Sequence, residues 1–268
     1  MEKLVHLTHS EHQNYLHGKV AIVTGASRGI GRAIALRLAQ GGAHLVLTAQ
    51  SEEALEGTVQ DARKMGAKVK ALATPDCAPG PLVSAATSLF GGIDIVVNNA
   101  GKTKTGDFLE LNDDDWESGY AVKLFGATRL CKAAWPELKR RQGSIINIAG
   151  AGGHTPDSRF TIGGSVNAAM MAFTKALAQL GIEDGVQVNC INPGLIKTDR
   201  LNKRIDDAAV KWSVSTEEAA NRMHAEHRIT RFGEPSEIAE LIAYITSPSG
   251  RLMHGALIDI DAGYTKGL

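Results

Sequence analysis

The sequence predicts a single α/β domain, a doubly wound parallel sheet of about seven strands with helices on both faces. Three observations support this. Short runs rich in Val and Ile are apolar on both sides of the pleat, which suits strands covered from above and below. The runs alternate with segments of helical length and periodicity. A glycine-rich turn also stands between the first run and the first helix, where such folds meet their ligands.

Taken in order, strands are expected over 20–24, 44–49, 68–73, 93–98, 144–148, 186–191 and 256–260, each short and rich in branched residues. Helices are expected over 30–40, 51–65, 81–90, 113–140, 165–181 and 235–247. Right-handed crossovers between parallel strands leave few topologies. The segment 199–231 interrupts the alternation; it is polar, helical in propensity and follows a strand's carboxyl end, so it is expected to form a helical lid over the ligand crevice. Residues 1–17 read as a polar N-terminal extension ahead of a domain over 18–268. Its His6, His9 and His12 recur at three-residue spacing with nothing nearby to fix a metal geometry.

Composition narrows the function. The 268 residues are 43% hydrophobic and 22% charged, an ordinary globular balance. Lys and Arg number 29, as do Asp and Glu, so no basic surplus points to nucleic acid or anionic membrane. A small-molecule substrate is the expected partner. No stretch approaches the ~20 apolar residues of a membrane span. Cys77, Cys131 and Cys190, odd in number and widely spaced, fit neither a disulfide framework nor a metal site and suit a reducing cytoplasm.

The chemistry starts at Thr24-Gly25-Ala26-Ser27-Arg28-Gly29-Ile30-Gly31, between the first strand and first helix. Glycines there allow a tight turn and close approach of backbone to a pyrophosphate, and the helix N-terminus attracts the anion. This spacing, with Asn98-Asn99-Ala100-Gly101, Asn192-Pro193-Gly194 and Arg231-Phe232-Gly233-Glu234-Pro235, resembles the short-chain dehydrogenase/reductase family over nearly the whole chain. The resemblance implies a Rossmann-like fold and a nicotinamide coenzyme. It implies contacts from Gly25, Ser27, Arg28, Gly29, Ile30, Gly31, Gln50, Asn99, Ala100 and Gly101, with Pro193, Gly194, Ile196 and Thr198 on the nicotinamide side. It also implies a homodimer or homotetramer joined through the helices at 113–140 and 165–181. Charge then favours NADP(H) over NAD(H). The second strand ends Leu47-Thr48-Ala49-Gln50-Ser51 without the acid that grips ribose hydroxyls, while Arg28 offers a cation to a 2′-phosphate.

The resemblance fails at the residues that exchange protons. Members of the family use a Tyr, a Lys four residues later, a Ser upstream and an Asn on the preceding helix; aligned here, those positions hold Gly163, Asn167, Gly150 and Lys123. No tyrosine lies near Gly163. Lys175 is about 12 Å further along the helix than Asn167 and on another face. Lys123 and His154 are the candidate replacements, since a desolvated lysine or an imidazole can exchange a proton near neutrality. Asn167 keeps the capacity to bind a ribose hydroxyl. Tyr120, within reach of Lys123, is expected to pack in the core. Three functions stay open: an NADP(H)-dependent oxidoreductase of an unknown carbonyl or alcohol with a nonstandard proton donor, a coenzyme-binding pseudoenzyme or sensor, and a nonredox lyase or isomerase on the same fold.

Overall fold

The computed structural model describes residues 15–74 and 78–267. Its strands are β1 (Val20–Thr24), β2 (His44–Ala49), β3 (Val69–Ala73), β4 (Ile95–Asn98), β5 (Ser144–Ile148), β6 (Gln187–Pro193) and β7 (Leu257–Ile260). They form one sheet in the order β3-β2-β1-β4-β5-β6-β7, and every neighbouring pair is parallel. Winding reverses between β1 and β4, so a crevice opens at their carboxyl ends.

Alternate side chains of each strand feed opposite cores. Ala21 and Val23 face a cluster with Ile34, Leu38 and Ile242, which come from helices α1 (Gly29–Gln40) and α9 (Pro235–Ile245). Val20 and Ile22 face Leu82, Leu130 and Leu138, which come from α3 (Pro79–Phe90) and α5 (Ala127–Arg141). Between them in the chain lie α2 (Glu56–Lys64), α4 (Asp113–Tyr120), α6 (Thr161–Asp184), α7 (Asp199–Trp212) and α8 (Thr216–His227). Strand and helix ends move by a few residues from expectation, and the general pattern stands.

Three expectations need correction. The helix foreseen over 113–140 is α4, a π-helical stretch Ala121–Gly126, and α5. The wider i→i+5 turn leaves no periodicity signal in sequence, and here it contains Lys123. The polar extension foreseen over 1–17 ends earlier. Leu16 is 1% exposed in the α1 core, and the Tyr15 hydroxyl donates to the Ala243 carbonyl. His6, His9 and His12 lie outside the described residues. Tyr120 is half-buried rather than core; it stacks on Trp116 at 6.5 Å and meets Phe125, itself half exposed.

The insertion at 199–231 folds as the pair α7 and α8 with a small core of its own, Leu201, Met223, Ile229 and Phe232. No helix among the described residues is long and apolar enough to cross a membrane.

Candidate active site

At the end of β1 the chain turns through Gly25 and Gly29, with φ of +65° and +55°, left-handed values that cost a side-chain-bearing residue roughly 1–2 kcal/mol. Arg28 stands at the N-cap of α1 with no side-chain cap, and no acid occupies the first turn. The N–H groups at this helix end are thus left for an anion. Gly31 has a second constraint. A Cβ there would lie 2.1 Å from the Gly25 carbonyl oxygen and 2.4 Å from the Asn99 amide. Ser27 and Ile30 complete the turn, and Thr58 donates to the Ala26 carbonyl from below at 3.0 Å. Gln50 stands exposed at the end of β2.

The β4 turn is sewn to this one. Asn99 Nδ2 donates to the carbonyls of Thr24 and Gly25 at 2.9 and 3.1 Å. The Thr24 hydroxyl accepts from the backbone N–H groups of Asn99 and Ala100 at 3.0 and 2.9 Å. Thr24 was not singled out from sequence, although its place directly before the first glycine was the available signal. Beneath, Asn98 donates to Asn147 and Asn147 to Thr174, at 2.8 and 2.9 Å, a buried polar chain joining the ends of β4 and β5 to α6.

On the other side the loop after β6 closes the crevice. A Cβ on Gly194 would lie 2.7 Å from Asp261 Cα, and the methyl of Thr198 would lie 3.1 Å from a Cβ on Gly29. Pro193 ends β6, and Ile196 is buried and bridges to Gly233. The Arg231–Pro235 motif thereby acts as a clasp. Arg231 holds Glu237 at 2.7 Å. That contact and the Glu234 N–H keep the Glu237 carboxyl well down, to about 2.

The four positions expected from the resemblance to correspond to the family's proton-exchanging residues lie together. Lys123, half-buried, donates to the Ala149 carbonyl at 2.8 Å, and its stem lies against Gly101, where a Cβ would be 3.0 Å from Cδ. Ala149 is followed by Gly150, where a Cβ would stand 2.9 Å from Asn167 Nδ2. Asn167 is 3% exposed, and its Oδ1 has no hydrogen-bond partner among the described residues. Above Gly163 the space is taken. A Cβ there would stand 1.9 Å from Phe160 Cζ, and the same ring lies 3.1 Å from a Cβ on Gly152. Phe160 carries no signal of this in the sequence, since it stands three residues before Gly163 and outside any family motif.

Removal from water, then the charge of Arg200, pushes the Lys123 ammonium down to about 8, opposed by the Cys190 thiol. His154 is engaged elsewhere: its Nδ1 lies 3.1 Å from Asp259 Oδ1 on β7, an oxygen that also accepts from Asn192 at 2.8 Å. The structure thus brings Lys123 and Asn167 to the strand ends beside Gly150 and Gly163, and ties His154 to a carboxylate.

A parallel sheet whose winding reverses over a glycine turn, with an uncapped helix N-terminus and a ring of strand-end loops, defines a dinucleotide-binding α/β protein. The Enoyl-(Acyl carrier protein) reductase family model matches residues 25–265. The 3-oxoacyl-acyl-carrier-protein reductase FabG of Vibrio cholerae is 33% identical over 249 residues, covering 92% of this chain and 98% of that protein. FabG of Aquifex aeolicus is 31% identical over 253 residues, covering 92% and 98%. Among solved structures, L-sorbose reductase from Gluconobacter frateurii, complexed with NADPH and L-sorbose, superposes with a TM-score of 0.90 at 33% identity, covering 96% of this chain and all of that one. A short chain dehydrogenase from Burkholderia cenocepacia in complex with NADP gives 0.81 at 30% identity, covering 94% and 100%. The chain belongs to the short-chain dehydrogenase/reductase family of oxidoreductases.

Proposed function

We propose that this protein is an NADP(H)-dependent oxidoreductase of a carbonyl or alcohol substrate in which Lys123 serves as the proton-exchanging group. The observation that carries the reading is the placement of Lys123. It is a half-buried amine hydrogen-bonded at the end of β5, next to Gly150, Gly163 and Asn167, none of which can exchange a proton near neutrality.

The residues present fit the coenzyme. The glycine turn, with Gly25 and Gly29 at positive φ and Gly31 packed bare against the Gly25 carbonyl, brings backbone close to where a pyrophosphate would lie, and the α1 N-terminus offers it unclaimed N–H groups. The unpartnered Asn167 Oδ1 is an acceptor for a ribose hydroxyl. Arg28 is 77% exposed, its side chain held among the described residues by a 3.2 Å surface pair with Asp199, and is able to exchange that carboxylate for a 2′-phosphate. The coenzymes named for the two solved relatives support the same choice. When bound, the coenzyme supplies or accepts hydride.

What the chain adds is the proton. In the reducing direction the Lys123 ammonium donates it to the substrate oxygen, with the Ala149 carbonyl fixing the direction of Nζ; in the oxidising direction the neutral amine accepts it. The pair α7 and α8 acts as the lid. Exposed Phe125 and Leu180 on the segments expected to join subunits, with exposed Ile182 one residue beyond, support a homo-oligomer. The free, buried Cys131 and Cys190 suit a cytoplasmic setting.

Fluorescence titration tests the coenzyme. NADPH binds more tightly than NADH, and Arg28→Ala weakens NADPH by about 10–100-fold, the equivalent of one or two charge-assisted hydrogen bonds, with NADH little changed. Equal losses for both coenzymes would remove the phosphate role.

A further inference from the structure

Two cations converge on Gly101, and among the described residues no acid pairs with either. Lys123 packs its stem against that residue from the β5 side. From the lid, Arg200 in the first turn of α7 donates to the Gly101 carbonyl at 3.4 Å. Neither side chain enters an ion pair among the described residues, whereas the adjacent Arg28 pairs with Asp199 and Lys197 with Glu234. The charges that Arg200 feels are also positive. Its guanidinium is held below its usual range by removal from water and then by Arg28 and Arg204. Arg200 is solvent-exposed and Lys123 half-buried, so water screens part of the repulsion, yet like charges gathered without a counterion still raise the free energy of the empty protein, and an anion relieves it.

Position decides which anion. A dinucleotide's phosphates belong at the β1 turn, where Arg28 and the α1 N-terminus wait. Gly101 follows β4, and Lys123 is bonded to the end of β5, beside Gly150, Gly163 and Asn167. The uncompensated pair therefore sits at the reacting end of the cleft. Guanidinium presents a planar fork that matches a carboxylate.

We infer that the substrate is a carboxylate-bearing carbonyl compound or hydroxy acid, its carboxylate held by Arg200 of the lid while its reacting oxygen meets Lys123. This rests on the coenzyme reading above and adds a substrate class to it. Arg200 is thus a specificity residue, and engaging the substrate would draw the first turn of α7 onto the cleft.

The test titrates the full-length, NADPH-loaded protein with 2-oxobutanoate and 3-oxobutanoate, each against its methyl ester, following bound NADPH fluorescence. At least one acid binds about tenfold or more tightly than its ester, and Arg200→Met removes that preference while NADPH affinity stays within about twofold. Equal binding of both acids and their esters, or a preference that survives in Arg200→Met, overturns the proposal. So does a Arg200→Met protein that loses NADPH affinity and no acid preference, which would assign the guanidinium to the coenzyme phosphates. The same ligands are run on coenzyme-free protein by thermal shift. Acid preference without NADPH binding would sink the coenzyme reading and keep the anion site; NADPH binding without acid preference would sink the anion site alone.

Discussion

Gly163 shows how one position can mislead when read alone. Aligned by sequence, it marks where a phenol is missing, and restoring Tyr there together with Lys at 167 looks like a complete repair. The structure adds that Phe160 covers the spot, with its ring 1.9 Å from where any Cβ would stand. Gly163→Tyr with Asn167→Lys is therefore expected to lose stability through overpacking, by about 1–3 kcal/mol. Adding Phe160→Ala should recover part of that loss and admit the phenol. Thermal melts of the double and triple variants check this; a double variant as stable as the parent would mean that the ring moves aside freely. Lys123 was legible in sequence as a changed position, and its hydrogen bond to Ala149 was not, because that contact spans two elements. His154 was legible only as an imidazole in a glycine-rich loop. Its engagement with Asp259 depends on β7 returning beside β6, a long-range fact that local reading does not reach.

At the scale of elements, the β1 turn and the β4 turn are one unit. Asn99 and Thr24 lock them together, and Gly31 lets α1 sit against the Gly25 carbonyl. Gly31→Val would therefore act first by pushing the turn apart rather than by blocking a pyrophosphate. The strain, about 1–3 kcal/mol, is within what a domain tolerates. The variant is expected to remain folded, with a lowered melting temperature and NADPH affinity reduced by about 10–100-fold. Undiminished affinity would contradict the role given to this turn. The strands were readable because their period and branched residues are local properties. The π-helical stretch at Ala121–Gly126 was not, since an added residue in a turn leaves the amphipathic pattern nearly intact. The clasp between Arg231–Pro235 and the loop after β6 was visible as a motif, while its partner, the Ile196–Gly233 bridge, required the fold.

Across the whole molecule, seven parallel strands bring turns from distant parts of the chain to one edge, and α7 adds Arg200 beside them. That convergence leaves Lys123 as the only member of the four changed positions with a proton to exchange. Its ammonium lies at about 8 instead of the ordinary 10.5, so the acid form needed for reduction is populated below pH 8 and depleted above it. The reductive rate of the coenzyme-loaded protein should accordingly be level at lower pH and fall as pH rises through about 8. The most direct test of the account is this pH profile, measured as NADPH oxidation with a turned-over carbonyl substrate, in the parent and in Lys123→Met. The account predicts a rate lower by about 10²–10⁴-fold in the variant, loss of the limb near pH 8, and NADPH affinity nearly unchanged. A variant that keeps the parent's rate and its pH limb would contradict it.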